Sequence, residues 1–465
     1  MTRQPPSPES ITRRRVLQTL AAGTAGALAG CSFFGSEEST PGETPPTDVT
    51  RDPERGPGTG DAPDRLAADY DRVVDVVEAG ADNSGSKPVD SVIRSEIDDD
   101  TLLYFPRGEY QFAEPVERGS VSNLGLVGDR ALFRPPEGFA EALLVFGGDG
   151  TATDLRFEGI DFDVTADRTG ARPLYCAVDD GLLVRDVTVH GRQDVDQDSM
   201  RFDVTSENGT GRVEGLRLPH GGSTEFTNTG IYVGESSVGE LSFVDCEVGG
   251  WPDNGLYASP AKGPVRVIGG HYADNGIASV RVSGDSVVKN VRVTCDSTRE
   301  GLENMRGIRL REGGNVLVDD VSVEIRSVTG SDGAITMAEW LQSATVRDSR
   351  FQTDVDDVPA INAKQPGEKA RQEIGTGSLD VENVRVVGAA SGESAITIAG
   401  RNGCRFERLC VHQGGRQRNG IHLTNSRGHV VTDSTVDVTG DPLVLENATA
   451  KRRSFRTGVS LSRCQ

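Results

Sequence analysis

The chain has 465 residues, of which 71 are acidic and 49 basic, so its formal net charge at neutral pH is −22. Only six of the basic residues are lysines. This balance excludes nucleic acid as an expected partner, because phosphate binding requires clustered lysines and arginines. Beyond residue 31, no run of apolar residues is long enough to span a bilayer as a helix.

Residues 1–31 are predicted to be a targeting segment rather than part of a fold. Arg13 and Arg14 precede an apolar stretch, a pattern that resembles a twin-arginine export signal. The stretch ends Leu-Ala-Gly-Cys, which resembles a lipobox, so Cys31 would carry lipid after cleavage. This interpretation predicts a cell-surface protein anchored by lipid to the outer face of the cytoplasmic membrane. The alternative is a chance arginine pair. The acidic, lysine-poor composition also resembles that of proteins from salt-adapted archaea.

Two segments follow before the regular part of the chain. Residues 32–65 are rich in proline, threonine, glycine and acidic residues, which predicts a flexible acidic linker. Residues 66–115 are predicted to cap a solenoid at its N-terminal end. Within 89–97, four apolar residues fall on one helical face and would cover the open end of the core, namely Val89, Val92, Ile93 and Ile97.

A pattern of eight residues then recurs eleven times. It reads apolar, any, apolar, two polar, apolar, any, apolar, and successive copies are 21 to 35 residues apart. Such unequal spacing is typical of a solenoid with insertions. Alternation on both sides of the polar pair predicts two short strands per copy, each with one buried face. The copies begin at residues 155, 182, 211, 241, 265, 286, 316, 344, 379, 404 and 429.

The residue before the second strand is Asp, Asn or Gly in ten of the eleven copies. These types tolerate a left-handed backbone conformation, which bends one strand into the next without a loop. The bend residues are Gly159, Asp186, Gly215, Asp245, Gly269, Asn290, Asp320, Asp348, Asn383, Arg408 and Asp433.

Upstream of eight copies a small residue precedes an apolar one, which predicts a third strand. We therefore predict an all-β parallel β-helix of eleven or more rungs, about 4.8 Å apart, over residues 116–445, with a C-terminal tail at 446–465.

These features resemble the right-handed parallel β-helix of the pectate-lyase-like superfamily. Residues 73–85 and 101–112 are similar to the V-x-D-x-G-A … V-x-F-P-x-G-x-Y opening of such proteins. The resemblance implies a bend between the second and third strands and a substrate cleft along the first strand of each rung. It does not specify a reaction, because this fold carries many activities. The polygalacturonase motifs are absent as a set, since Asp179-Asp180 occurs without Gly-His-Gly or Arg-x-Lys.

The first strand of each rung is predicted to present outward side chains in a ladder. Its members would be Tyr232, Tyr257, Ala278, Arg309, Thr336, Asn362, Thr397 and His422. A second outward ladder would include Val280, Arg311 and Lys364. Aromatic faces stack on sugar rings and guanidinium groups clamp carboxylates, so we hypothesise that this face binds an extracellular acidic polysaccharide. The alternative is an ordinary solvated surface.

Cleavage of the polymer, by a lyase- or hydrolase-like reaction, is a further hypothesis. Its candidate catalytic groups are Arg309, Arg311 and Glu339, and calcium is a candidate cofactor, with Glu312 as its candidate ligand. The candidate substrate-binding residues are Tyr232, Tyr257, Trp340, Lys364 and His422. The rival hypothesis is a non-catalytic adhesion or assembly module on the same fold. An enzyme predicts converging carboxylates and basic residues, whereas an adhesion module predicts a flatter face.

Cysteine usage leaves several pairings open. Cys246 and Cys404 occupy inward positions of the repeat and are expected to be buried thiols. Cys410 faces outward and Cys464 lies in the tail, so a disulfide between them is one alternative among the six cysteines other than Cys31. The spacing typical of a zinc site is absent.

Overall fold

The computed structural model describes residues 62–148, 150–170, 172–302 and 304–458. These residues form an all-β parallel β-helix of about 13 turns, which confirms the predicted fold class. The predicted export signal, with Arg13 and Arg14, and the predicted lipidation site at Cys31 lie outside the described residues. None of the helices in the described part of the chain is long and apolar enough to cross a membrane.

Short helical segments within these ranges are α1 (Ala62–Leu66), a 3₁₀ turn (Ala67–Asp69), α2 (Asp90–Glu96) and α3 (Glu368–Ile374). Helix α2 is the predicted cap, and Val89 and Ile93 on its apolar face are fully buried. The Asp90 carboxylate accepts hydrogen bonds from the Arg94 side chain and from the backbone N–H of Ala113. These bonds fix the helix to the chain that enters the next turn.

The strands of the first half, in chain order, are β1 (Arg72–Asp75), β2 (Ser84–Pro88), β3 (Thr101–Phe105), β4 (Gly108–Gln111), β5 (Val116–Arg118), β6 (Val121–Arg134), β7 (Ala142–Phe146), β8 (Ala152–Asp163), β9 (Arg172–Val178), β10 (Leu182–Arg185), β11 (Val189–His190), β12 (Met200–Val204), β13 (Thr210–Glu214), β14 (Arg217–Leu218), β15 (Ile231–Tyr232), β16 (Glu240–Val244), β17 (Glu247–Gly249) and β18 (Asn254–Tyr257).

Those of the second half are β19 (Val265–Ile268), β20 (His271–Ala273), β21 (Ala278–Val282), β22 (Val287–Lys289), β23 (Arg292–Cys295), β24 (Arg306–Asp319), β25 (Ser322–Ile325), β26 (Ile335–Arg347), β27 (Arg350–Thr353), β28 (Ile361–Ala363), β29 (Ser378–Glu382), β30 (Arg385–Gly388), β31 (Ser394–Ala399), β32 (Arg405–Glu407), β33 (Cys410–Gln413), β34 (Asn419–Thr432), β35 (Thr435–Val438), β36 (Leu443–Arg453) and β37 (Arg456–Thr457).

The strands pair in parallel and form two sheets. The smaller sheet is the third side of the turns and contains β14, β17, β20, β23, β25, β27, β30, β33, β35 and β37. The remaining 27 strands form one sheet, because several long strands run through the corner between the first and second sides. Strand β24, for example, covers 14 residues and pairs with β26 on both sides of that corner. The three short strands predicted for each rung are therefore joined in part.

The predicted bend residues form one line along the β-helix. All eleven have positive φ, between 48° and 69°, including the arginine at position 408. The line continues at both ends with Arg130 and Ser454, which gives thirteen bends. Neighbours in the line stack, since Asn383 Nδ2 donates a hydrogen bond to Asp348 Oδ1 at 2.6 Å. The predicted register of the repeat is confirmed.

A continuous column of inward side chains fills the interior. Near the capped end it is aromatic, and the Phe133 ring lies between 5.0 and 5.8 Å from the rings of Phe105, Phe112 and Phe162. Farther along, valine and isoleucine predominate. Burying one such side chain contributes roughly 1.5–3 kcal/mol relative to leaving it exposed. Because this column fixes the inward positions, the residues between them must face outward.

The two ends of the β-helix contain more strand than the sequence predicts. Strand β1 pairs with β3 and β3 with β6, so residues 66–115 contribute strands to the first turns in addition to the cap. At the other end β36 pairs with β34 and β37 with β35. Part of the predicted tail at 446–465 therefore forms a further turn, as far as Thr457.

Four cysteines, Cys176, Cys246, Cys295 and Cys404, are free and buried, as expected for the two in the inward positions of the repeat. Cys410 is disulfide-bonded, and Cys464, its predicted partner, lies outside the described residues. The pairing of Cys410 with Cys464 stays a prediction.

Candidate functional site

The first side of the β-helix carries a ladder of outward tyrosine and arginine side chains. Strand pairings place Tyr175, Arg201 and Tyr232 side by side on successive turns. The same register continues on the next turns through Tyr257 and Arg281 to Arg309. We call these six residues the Arg-Tyr ladder, namely Tyr175, Arg201, Tyr232, Tyr257, Arg281 and Arg309.

The predicted ladder is wrong at one of its eight positions. Ala278 is fully buried, and Arg281 takes the outward place in that turn. The physical reason is that Val280, rather than Ile277, fills the inward position there. The predicted second ladder fails in the same turn, because its member Val280 is fully buried. The correction adds a cation between two predicted members of the ladder.

Cations and rings stack along the ladder. The Arg201 guanidinium carbon lies 4.5 Å from the centroid of the Tyr175 ring and 5.5 Å from that of Tyr232. The Tyr232 and Tyr257 rings meet edge to face at 5.5 Å, and Arg281 lies 4.2 Å from the Tyr257 centroid. Cation–π contacts of this kind contribute roughly 0.5–2 kcal/mol each. They hold the long arginine side chains against the sheet.

Four arginines, Arg281, Arg306, Arg309 and Arg311, form what we call the arginine cluster, where β21 pairs with β24. No carboxylate among the described residues forms an ion pair with Arg281 or Arg309, and the Nε of each is buried without a hydrogen-bond partner. Burial and repulsion by the other three arginines lower the pKa of Arg309 to about 10. Burial is also the main cause that lowers the pKa of Arg281. The cluster therefore has more positive charge than its surroundings balance.

The rest of the cluster has acidic partners. Asp332 accepts a hydrogen bond from Arg306 Nε at 2.9 Å and another from Lys364 Nζ at 2.7 Å. Burial by itself would raise the pKa of Asp332, but these two cations lower it to about 2. Arg311 lies 3.7 Å from the Glu312 carboxylate. Lys364, a predicted substrate-binding residue, is thus already engaged by a carboxylate.

Three other predicted site residues lie on later turns, Glu339 and Trp340 on the turn next to Arg311, where Trp340 is the register partner of Glu312, and His422 farther along. Glu339 is exposed, accepts a hydrogen bond from Trp340 Nε1 at 3.1 Å, and lies beside Gly367 just before α3. Within the described ranges, no ion pair joins Glu339 to an arginine of the cluster. His422 lies four turns beyond the last member of the Arg-Tyr ladder and 3.4 Å from the Glu446 carboxylate. Glu339 and Trp340 therefore lie one turn from Arg311 without an ion pair to it, and His422 lies apart from the arginines.

A long insertion follows β28. It forms α3, and residues 365–372 line a shallow depression of about 410 Å³. As for a metal, the described part of the chain holds no group of three or more His, Cys, Asp or Glu that could bind one. Calcium requires several oxygen ligands, so we do not assign it to Glu312.

Two carboxylates beside the ladder were not predicted from the sequence. Asp198 and Asp253 lie just before the first side, on the turns of Arg201 and Tyr257. Thr229, on the turn between, donates its backbone N–H to Asp198 Oδ1 at 2.9 Å and its hydroxyl to Asp253 Oδ2 at 3.1 Å. Burial raises the pKa of both carboxyl groups. Both residues lie in loops outside the eight-residue pattern, so the repeat carries no signal for them.

The site is thus a cationic and aromatic strip on a parallel β-helix, with two carboxylates at its edge. No protein-family model and no curated protein sequence matches the chain.

Several solved β-helix structures are similar to it. The Streptococcus pneumoniae surface protein and adhesin PfbA is 12% identical, with a TM-score of 0.35 over 83% of this chain and 100% of that one. The A-module of the Azotobacter vinelandii mannuronan C-5 epimerase AlgE6 is 11% identical, with a TM-score of 0.31 over 84% and 100%. A mutant of DFA-IIIase from Arthrobacter chlorophenolicus A6 is 13% identical, with a TM-score of 0.35 over 80% and 86%. Similarity at this level transfers no ligand or activity.

The charge balance of the cluster predicts an effect of pH on stability. Asp332→Asn removes the shared carboxylate of Lys364 and of Arg306, which is only 8% exposed. Because the Asp332 side chain is 29% exposed, we expect a loss of roughly 1–3 kcal/mol, below the cost for a fully buried pair. The folded pKa of about 2 lies below the ordinary value of 3.8, so this stabilisation is present above about pH 4 and is lost toward pH 2.

Melting temperatures from circular dichroism check this expectation. The difference between the wild type and Asp332→Asn should shrink as the pH is lowered from neutral toward 2. Asp320→Asn is the matched control, because Asp320 lies on the line of bends, where asparagine also occurs, and it should change little. A difference that stays constant with pH would contradict the assignment of Asp332 as the counter-ion.

Proposed function

We propose that the Arg-Tyr ladder and the arginine cluster bind an acidic polysaccharide. The observation that carries this proposal is the pair Arg281 and Arg309, two partly buried cations that form no ion pair with a carboxylate of the described residues and whose Nε atoms are buried without a hydrogen-bond partner. Keeping unpaired charges out of water is unfavourable. A ligand with anionic oxygens would offset this cost by accepting charge-assisted hydrogen bonds from both guanidinium groups.

The net charge of the chain strengthens this argument. With 71 acidic residues available, other cations on the same face have partners, such as Arg201 with Asp203 at 2.8 Å. Arg281 and Arg309 make no such ion pair, and Asp332, the carboxylate that attracts Arg309, is already bonded to Arg306 and Lys364. An anionic polymer would be repelled by most of the surface and attracted to this strip, which favours one binding mode.

The length and composition of the ladder support a sugar polymer over a small anion. Six residues on successive turns, spaced about 4.8 Å apart, form a strip roughly 24 Å long. Tyrosine rings pack on the apolar faces of sugar rings, and arginines bind their carboxylate groups. A chain of carboxylated sugars supplies both kinds of surface. Cleavage of the bound polymer requires this binding, whereas the rival adhesion or assembly module does not.

Removing both unpaired cations is expected to weaken binding more than tenfold. The variant carries Arg281→Ala together with Arg309→Ala, and binding of polygalacturonate, alginate and hyaluronate is measured by isothermal titration calorimetry. The wild type should bind at least one of the three polymers. The melting temperature of the variant should change little, because the relief of repulsion among the arginines offsets the loss of the cation–π contact between Arg281 and Tyr257.

Arg292→Ala is the matched control for this experiment. Arg292 faces outward on the smaller sheet, its side chain is 57% exposed, and it lies 4.0 Å from the Glu324 carboxylate. Losing an exposed arginine away from the ladder should change the affinity by less than about twofold. Equal affinity of the double variant and the wild type, or an equal loss in the control, would remove the ladder as the binding site.

We also propose that the protein is exported and held at the cell surface by a lipid on Cys31. The support is the sequence pattern around Arg13, Arg14 and Cys31, together with a polymer ligand of extracellular type. Cys31→Ser is expected to release the protein from the membrane fraction, because the lipid attachment atom is lost. Immunoblots of membrane and soluble fractions check this. A variant that still sediments with membranes would contradict the anchor.

A further inference from the structure

The Arg-Tyr ladder is one part of a longer row of outward positions on the first side of the β-helix. Strand pairing continues this row beyond Arg309 through Thr336, Asn362, Thr397 and His422. The outward residue is partly exposed at each position of the row from Tyr175 to His422, with one exception. The exception is Thr336, which is only 1% exposed. The row is therefore covered at one turn, directly after the arginine cluster.

An ion pair crosses the row at this turn. Asp332 lies shortly before β26, the strand that carries Thr336, whereas Lys364 lies directly after β28 on the next turn. Lys364 Nζ donates to Asp332 Oδ2 at 2.7 Å, so the lysine side chain must run back across the outward row to reach it. Asn362, a member of the row, donates its side-chain amide to the Asp332 carbonyl oxygen at 3.0 Å. These contacts place Asp332 and Lys364, which we call the closing pair, over the position of Thr336.

Further hydrogen bonds hold the closing pair in place. Arg306 Nε donates to the Asp332 carboxylate at 2.9 Å. Arg401, a fully buried cation, donates to the backbone carbonyl oxygens of Lys364 at 3.0 Å and of Ala338 at 2.7 Å. Ala338 is the second outward residue of the covered turn and is only 5% exposed. An ion pair between two freely moving side chains is weak, but both members of this pair are anchored by neighbouring turns. The closure is thus a fixed part of the surface.

The cations of the arginine cluster lie next to this closed end. Arg309 lies on the turn before Thr336 and Arg281 on the turn before that. At the opposite end of the ladder, Tyr175 pairs with Val145 on an earlier turn, where the outward position is partly exposed and uncharged. An anionic chain is therefore attracted most strongly at the end of the strip where its path stops.

We propose that the strip binds the end of an acidic polysaccharide chain, with the terminal sugar held by the arginine cluster and stopped by the closing pair. This inference rests on the proposed function. A segment from the middle of a chain would have to leave the surface at Thr336 while its charges were held at Arg309. A chain end meets no such obstacle, because no sugar follows the terminal one. The rest of the ladder, toward Tyr175, then holds the sugars next to the terminal one.

Binding stoichiometry distinguishes a chain end from an internal segment. The probes are a short oligomer and a many times longer polymer of the same sugar, taken from the uronate panel and titrated into the full-length protein by calorimetry. The wild type should bind as one protein per chain at both lengths, because the two ends of a sugar chain differ and only one matches the site. A number of proteins per chain that increases with chain length would overturn this proposal and leave the proposed function standing. Failure to bind any polymer of the panel would overturn both.

Opening the closing pair should convert the strip into one that accepts internal segments. The variant that combines Asp332→Asn with Lys364→Ala removes the lysine that crosses the row, keeps a hydrogen-bond acceptor for Arg306 and leaves the net charge unchanged. The number of proteins bound per long chain is expected to rise severalfold, while one protein still binds each short oligomer. A value that stays at one protein per long chain in this variant would overturn the role of the closing pair.

The matched control combines Asp319→Asn with Lys289→Ala. These residues form an ion pair of 3.2 Å where β22 pairs with β24 on the second side, away from the ladder. The control should keep the wild-type stoichiometry at both chain lengths, and an equal rise in the control would overturn the proposal. Melting temperatures verify that the variants fold. If the variant at Asp332 and Lys364 does not fold, the wild-type comparison of the two chain lengths decides the proposal by itself.

Discussion

The structure depends on one backbone constraint, a residue with positive φ at the same corner of each regular turn. This bend returns the chain over itself, so equivalent residues of successive turns stack in parallel register. Left-handed conformation costs an ordinary residue roughly 1–2 kcal/mol, and Asp, Asn and Gly reduce that cost. Burial of the inward side chains then offsets the remaining cost of the left-handed conformation. Once the bend and the column are fixed, the outward positions form lines as well, so functional side chains can lie next to one another on successive turns.

The functional argument follows from how charge is distributed on one such line. Several cations of this acidic protein have carboxylate partners, as Arg306 and Lys364 have in Asp332. Arg281 and Arg309 have none among the described residues, although each is partly buried. A fold that can place an acidic residue at every rung leaves these two adjacent arginines without an ion pair. An anionic ligand explains that arrangement, and the neighbouring tyrosines make a sugar polymer the ligand that fits the whole strip.

The sequence was sufficient for the fold because the bends and the alternation repeat. All eleven predicted bend residues have positive φ, and even Arg408, whose residue type gave no hint, follows from its place in the repeat. The prediction of the ladder was wrong only at Ala278, because Gly276-Ile277 matches the small-apolar pattern although Ile277 does not occupy the inward position. An alternation through Val280 and Val282, which are both fully buried, would have placed Arg281 correctly.

The two carboxylates at the edge of the strip could not be predicted from the repeat. Asp198 and Asp253 lie in loops whose lengths vary from turn to turn, so no period brings them together. Their relation depends on two hydrogen bonds from Thr229, one of them from its backbone. Likewise, the pairing of Lys364 with Asp332, rather than with substrate, depends on side-chain positions on two adjacent turns. Pattern analysis predicts which residues face outward, but it does not predict which of them already have partners.

The central claim is that the unpaired arginines hold an acidic sugar chain. A crystal structure of the protein soaked with an oligomer of the uronate polymer that it binds would test this most directly. The account predicts sugar density along the first side of the β-helix, with a ring against Tyr257 and carboxylate oxygens within hydrogen-bonding distance of Arg281 and Arg309. Density on another side of the β-helix, or along the first side with both arginines still without an anionic partner, would contradict it.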